Sequence, residues 1–387
     1  MQTIGKLLAV DEQLTHQIVD TFATVAESDL SWTEKLWTPV SRKDGSLQFD
    51  MGLGRYQNRD VIDGFAGMSR GREQWTLRVS RELSSDPLAT VIGPLRYDVV
   101  EPLKKVRWRL DRNEVIPLRF DLTFEAAFPP YFEDRHLQRD ERGFRVVSNV
   151  VRYHQAGVPR GWYEIDGKRE EINPDDWFCY RDHSWGVRLD VGAPPPDLRP
   201  ARDFGERKFE DSKFLLIWSP FLLQRPDGSR YEYHFYLQVR GDEVFYFSGY
   251  RNHADGRQER IARVRPQLRF DDDTRRLEGG HLFIDMLDGA TSRIEVEVQG
   301  ESGFYLGTAL YLGFDGKKHG NWRGALDLDG ERIADITAPE MRKRLATAVR
   351  DTIIKVREGE AEGYGLLEPI VLGDWPDMKL SSRRTRG

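Results

Sequence analysis

An acid, an imidazole, a hydroxyl and an indole stand in a row at Asp182-His183-Ser184-Trp185, with Gly186 behind them. Trp177, Cys179, Tyr180, Arg181 and Arg188 crowd around. Bulky aromatics beside titratable groups suit a site that holds an apolar substrate against a proton donor. A carboxyl group walled by Trp177 and Trp185 loses solvation, which favours its protonated form and lets it donate a proton. His183 can do the same task from the opposite side, or orient the carboxyl. Arg181 and Arg188 pull the other way and favour a carboxylate at Asp182. The same residue types also fit a strand corner, with Asp182 and His183 bonded to backbone groups and Trp185 plugging a barrel end. On the residues alone both readings stay open.

A second constellation lies at 231–237. Tyr231, Tyr233, Phe235 and Leu237 share one strand face; Glu232, His234 and Tyr236 share the other. Turned inward, the polar set gives a cavity an acid, an imidazole and a phenol, and the aromatic set gives it an apolar wall. The ordinary arrangement keeps the aromatics in a core and the polar groups in water. His136, His154, His253, His281 and His319 are scattered, without a His-x-His pair, a helical i,i+4 pair or an HExxH motif, so no metal centre is expected. His281 and Asp285 share a strand face, a faint pointer to a further polar site. Met51-Gly52-Leu53-Gly54 lacks the lysine and hydroxyl residue of a phosphate loop and fails the dinucleotide pattern as well. There is no Gly-x-Ser-x-Gly elbow, and Cys179 has no protease context. Hydride transfer, phosphoryl transfer and serine hydrolysis are therefore set aside, and no cofactor is expected.

The elements that must position these groups read mostly as strands. Residues 74–81 alternate Trp75, Leu77 and Val79 against Thr76, Arg78 and Ser80, and 106–110 and 118–124 repeat the signature. Residues 161–165 and 168–172 flank Asp166-Gly167, a pair suited to a two-residue hairpin. Further short runs follow at 213–218, 231–240, 243–250, 257–264, 281–286, 293–298, 303–312 and 324–328, with Asp-Gly or Gly-Asp turns between many of them. Evenly spaced antiparallel strands predict barrels or sandwiches. Helices are expected only at the ends. Leu14, Ile18, Phe22 and Val25 make an apolar stripe over 11–27. Met341, Leu345, Val349, Ile353 and Val356 make another after a Thr337–Glu340 capping box around Pro339. Pro194-Pro195-Pro196 is the best boundary. The expected division is 1–196 for a helix and the first β domain, 197–338 for the second, and 339–387 for a helix with a frayed basic tail.

Composition sets the outer limits. At 387 residues the chain suits two domains. Hydrophobic residues make up 39% and charged ones 32%, with a net charge of −6 and no basic block, which argues against a nucleic-acid track. No apolar run approaches the roughly 20 residues of a spanning helix. A single cysteine excludes an internal disulfide, no secretion signal is evident, and the chain reads as cytoplasmic. Ten tryptophans among 11% aromatics suit either a ligand cavity or plain core packing.

The pentapeptide 182–186 at the junction of two β-rich halves resembles the carotenoid 1,2-hydratase (hydroxyneurosporene synthase) and AttH-like group. The hairpin at 161–170 and the segment Gly363-Tyr364-Gly365-Leu366-Leu367-Glu368 fit the same resemblance. It implies two lipocalin-like (calycin) β-barrels in tandem with an apolar pocket between or within them. It also implies cofactor-free hydration, cyclisation or isomerisation of a hydrophobic molecule, started by protonation. The hydratases use a His-x-Trp pair, matched by His183 and Trp185, and a Tyr-x-Asp pair that has no counterpart downstream here. The proton donor is thus open among Asp182, His183 and Asp285.

The expectation is a mainly β protein of two lipocalin-like domains acting as a cofactor-independent lyase, hydratase or isomerase on a terpenoid or aromatic compound. Asp182 or His183 moves the proton; Trp185, Tyr180, Trp177, Tyr233, His234 and Arg188 hold the substrate. The alternative is a carrier that binds such a compound unchanged. Neither nucleic acid nor a membrane span is expected, and a homodimer is compatible with both readings.

Overall fold

The computed structural model describes residues 6–22, 24–140, 142–189, 191–193, 195, 197, 213–309 and 316–381. The strands of its first half are β1 (Trp32–Arg42), β2 (Gln48–Tyr56), β3 (Val61–Arg70), β4 (Glu73–Glu82), β5 (Leu95–Glu101), β6 (Lys105–Leu110), β7 (Leu118–Ala126), β8 (Tyr131–Phe132), β9 (His136–Arg139), β10 (Val146–Ile165), β11 (Lys168–Glu171) and β12 (Trp177–Val187). The second half adds β13 (Phe214–Gln224), β14 (Arg230–Arg240), β15 (Glu243–His253), β16 (Gln258–Phe270), β17 (Leu277–Met286), β18 (Thr291–Tyr305), β19 (Leu326–Ile333), β20 (Arg350–Glu358) and β21 (Ala361–Leu372). One sheet runs in the order β19-β4-β3-β2-β1-β12-β10-β7-β6-β5, with β8, β9 and β11 paired onto β10. The other is a closed barrel, β13-β14-β15-β16-β17-β18-β20-β21. These are two antiparallel lipocalin-like units, and the strand alternation accounts for both.

In β6, Val106, Trp108 and Leu110 turn into the first core, while Arg107 and Arg109 turn outward to Asp121 and Asp98. The Asp166-Gly167 turn has positive φ at both residues, 52° and 76°, as a primed hairpin turn requires. β2 is buried along its whole length because its two faces meet different cores. Phe49, Met51 and Leu53 enter the first unit. On the other face, a shared cluster joins Trp37, Phe65, Phe178 and Tyr180 to Trp218, Phe304, Ile353 and Leu366 of the barrel. Gly67 makes room for that contact, since a Cβ there would lie 2.4 Å from the Phe304 ring. Backbone N–H groups of β18 bond across the junction: Gly303 to Ser69 Oγ at 3.0 Å, Phe304 to Gln48 Oε1 at 2.6 Å and Tyr305 to Gln74 Oε1 at 2.8 Å.

Both end helices differ from expectation. In place of a helix over 11–27, the described residues there show the end of a 3₁₀ turn (Ala9–Glu12), turns and an isolated Ile18–Val25 bridge. Glu12 explains why: its carboxylate accepts from both Arg181 nitrogens at 2.6 and 2.8 Å, from Tyr97 and Tyr153, and from the Leu103 N–H. That buried anchor holds the segment as a strap and overrides its helical periodicity. At the other end, only Pro339–Leu345 is helical, its N-cap is Ala338, and Thr337 instead donates to Asp335. The β-branched run Thr352-Ile353-Ile354 lies in β20, where Ile354 and Val356 face the barrel core and Ile353 faces the junction.

The sheets also cross the expected boundaries at 196 and 338. β19 leaves the second half to pair with β4, and β20 and β21 close the barrel from beyond 338. Pro194 and Pro196, residues 310–312 of an expected strand and residues 382–387 of the basic tail lie outside the described residues. Among the described residues, no helix is long and apolar enough to cross a membrane.

Candidate active site

The pleat of β12 divides the central cluster between two environments. Trp177 and Cys179 enter the first core, and Trp177 stacks on Phe49 at 5.7 Å. His183 shares their face, fully buried, with Nε2 2.8 Å from Glu34 and Nδ1 3.2 Å from the Tyr153 hydroxyl. Trp185 stacks on His16 at 3.6 Å. The alternate residues Tyr180, Asp182 and Ser184 face the barrel unit. Tyr180 donates to the Tyr364 carbonyl at 3.0 Å. Asp182 and Ser184 border a cavity of about 410 Å³ between the two units, and Arg188 lies on its wall, bonded to the Ser184 hydroxyl.

The cavity takes its walls from both units. Lys35 and Trp37 come from β1, Arg152 from β10, Trp218 from β13, Tyr236 from β14 and Glu368 from β21. Trp37 and Trp218 meet edge to face at 5.1 Å. The 231–237 strand resolves in a third way: Tyr231, Tyr233, Phe235 and Leu237 fill the barrel core, Glu232 and His234 are buried at the junction instead of lying in water, and Tyr236 is half-buried on the cavity wall. Tyr233 donates to Ser292 at 3.1 Å within the barrel, away from the cavity. His234 reaches the junction and packs on His154 and Trp218 at 3.8 and 4.9 Å. Asp285 pairs with Arg265 at 2.8 Å, and the Arg265 and Thr291 hydrogen bonds hold it down at about 2, so it has no proton to give at neutral pH.

Two kinds of carboxyl group meet the cavity. Asp182 forms an ion pair with Arg152 at 2.9 Å. Glu368 is less relieved: burial, then the neighbouring Asp351 carboxyl, push it well above the usual carboxylate range against a weaker pull from Arg152. Asp351, buried behind it, is pushed the same way by burial and by the neighbouring Asp50 carboxyl; Asp50 is raised by burial and by Glu368, against the lowering effect of its hydrogen bond with Asp351. Three adjacent carboxyls with little solvent cannot all ionise, so the cluster retains protons. Burial and then the Arg188 guanidinium lower Lys35 to about 7, and burial brings His136 on the same wall down to about 4. Burial acts to raise Glu133, but Arg152 and the His154 hydrogen bond outweigh it and keep the group ionised. An apolar, two-tryptophan wall with one carboxyl that retains its proton and another ion-paired with a guanidinium can bind a greasy molecule, protonate it and take a proton back.

Folding also gathers titratable groups that are scattered in the chain. Glu133, His154 and His234 bring ligand-capable atoms within 4.8 Å of one another, as do His16, Glu34 and His183. Sequence reasoning missed Glu368, Arg152, Lys35, Trp37 and Trp218 at the cavity. Only alternation along β12, which puts Asp182 and His183 on opposite faces, was available as a signal.

No curated protein sequence matches this chain. Among solved structures, a protein of Nitrosomonas europaea assigned as AttH superposes with a TM-score of 0.50 at 11% identity, covering 88% of this chain and 92% of its own. Kievitone hydratase from Nectria haematococca gives 0.46 at 9% identity over 94% and 93%. CghA gives 0.46 at 10% identity over 93% and 97%. At such identities the AttH likeness is one of fold. Residues 7–379 match the model of a family described as a family of unknown function, DUF8625, and the chain belongs to that family.

Proposed function

We propose that the protein is an acid–base enzyme, a lyase, hydratase or isomerase, acting on a hydrophobic terpenoid or aromatic molecule in the cavity between its two β units. The observation that carries this reading is the pairing of unlike carboxyls on one aromatic-walled cavity: Glu368, pushed well above the usual carboxylate range, and Asp182, ion-paired with Arg152 at 2.9 Å. Environments that separate two such groups make an acid and a base from the same chemistry. Glu368 delivers a proton to a double bond or a leaving hydroxyl. The cation that develops lies against the Trp37 and Trp218 indoles, worth about 0.5–2 kcal/mol each. Asp182 then removes a proton from the carbon skeleton or from an incoming water. Water addition of the carotenoid 1,2-hydratase kind is one outcome of this sequence, and isomerisation is another. His183 and Trp185 support the site from the far face of β12, with no contact to the cavity.

The test is incubation of the full chain with a panel of unsaturated terpenoids and prenylated or hydroxylated aromatics, followed by mass spectrometry. Conversion by wild type, reduced about 10²–10⁴-fold in Glu368→Gln with binding retained, is the expected result. Binding that returns every ligand unchanged, in wild type and variant alike, identifies a carrier and ends the enzymatic reading.

A further inference from the structure

We propose that Glu133, His154 and His234 form a binding site for a divalent transition metal, zinc first among them, that ties the two β units together. His154 comes from β10 and Glu133 from the short link between β8 and β9, both in the first unit; His234 comes from β14 of the barrel. Their donor atoms lie within 4.8 Å of one another, and all three residues are at most 3% exposed. The two imidazole rings lie nearly parallel, 26° apart, at a centroid distance of 3.8 Å.

Hydrogen bonding points to a ligand at this place. His154 Nε2 is 2.8 Å from Glu133 Oε2, but among the described residues its Nδ1 has no hydrogen-bond partner, and neither ring nitrogen of the fully buried His234 has one. Buried imidazole nitrogens almost always bond to something, and a metal ion accepts the lone pair that a neutral ring offers. Glu133 is already oriented for the role: Tyr246 donates to Oε1 at 2.8 Å, leaving Oε2 toward His154. Arg152 also lies 3.4 Å from Glu133 and repels a cation, but its own charge is offset by Asp182 at 2.9 Å. Two imidazoles and one carboxylate are a recognised zinc donor set.

The second histidine cluster provides the contrast. Glu34 binds both His16 and His183, His16 Nε2 meets Asp11 at 3.2 Å, and His183 Nδ1 meets Tyr153 at 3.2 Å. Every imidazole nitrogen there is satisfied by protein, so that cluster is an internal hydrogen-bond network.

The experiment strips the full-length protein with a chelator and titrates it separately with Zn²⁺ and Co²⁺. The expected result is one equivalent bound per chain with a raised unfolding temperature. His154→Gln and His234→Gln each weaken binding by about 100-fold or more, while His16→Gln leaves it unchanged; near-UV circular dichroism confirms that each variant is folded. If the variants do not fold, anomalous diffraction at the zinc edge from wild-type crystals locates the ion directly, with density expected between His154 and His234. Absence of stoichiometric binding, binding retained in folded His234→Gln, or density at His16 and His183 would each overturn the proposal.

Discussion

At the scale of single residues, the account depends on where protons sit in the Asp50–Asp351–Glu368 cluster. Burial raises each of these groups above its unfolded value. The folded state therefore holds protons that the unfolded chain has released. Their stabilising contribution is complete below the ordinary carboxylate range and is lost as pH rises toward the raised folded values. Thermal unfolding followed from about pH 5 to about pH 9 should show a falling midpoint, and Asp351→Asn should flatten the slope by removing the central charge. An unchanged slope in the variant would place the protons elsewhere. Asp182 was legible in the sequence because acid and aromatics stand together, yet its neighbours His183 and Trp185 point the opposite way. Glu368 carried no local signal, since its chemistry comes from Asp351 one strand away and from Asp182 in the other unit.

At the scale of elements, strands were readable and helices were not, for one reason. Alternation along β4, β6 and β7 is a local pattern that the sheet preserves. The stripe at 11–27 is equally regular, but Glu12 gains more by reaching Arg181 than the segment gains as an exposed helix. Arg181 is 3% exposed, so removing its counter-charge strands a buried guanidinium. Glu12→Ala should cost about 3–5 kcal/mol in chemical denaturation, and hydrogen exchange should show the strap at 6–31 freed from the sheet. A loss below about 1 kcal/mol would mean that the strap is held by its apolar contacts alone. The strand 350–358 was read as helix because Leu345, Val349, Ile353 and Val356 happen to repeat at helical spacing. Its pairing with β18 and β21, far away in sequence, decides the matter.

At the scale of the molecule, the units are interlocked rather than strung in series. β19 returns to the first sheet, and the barrel closes only with β21. Phe304 stands at the centre of the junction, fully buried and stacked on Phe65 at 5.9 Å. Phe304→Ala should destabilise the protein by about 3–5 kcal/mol and split a single calorimetric transition into two as the units uncouple. A single transition at the wild-type temperature would show that the junction contributes little. The junction also creates the cavity, so the proposed catalysis and the packing of the two units share the same surface.

The central claim, that Glu368 keeps its proton while facing the cavity, is tested most directly by carbon NMR of protein carrying glutamate labelled at the side-chain carboxyl. The resonance that disappears in Glu368→Gln is predicted to hold its protonated position through pH 7. Titration of that resonance near the ordinary glutamate value of about 4.3 would contradict the account.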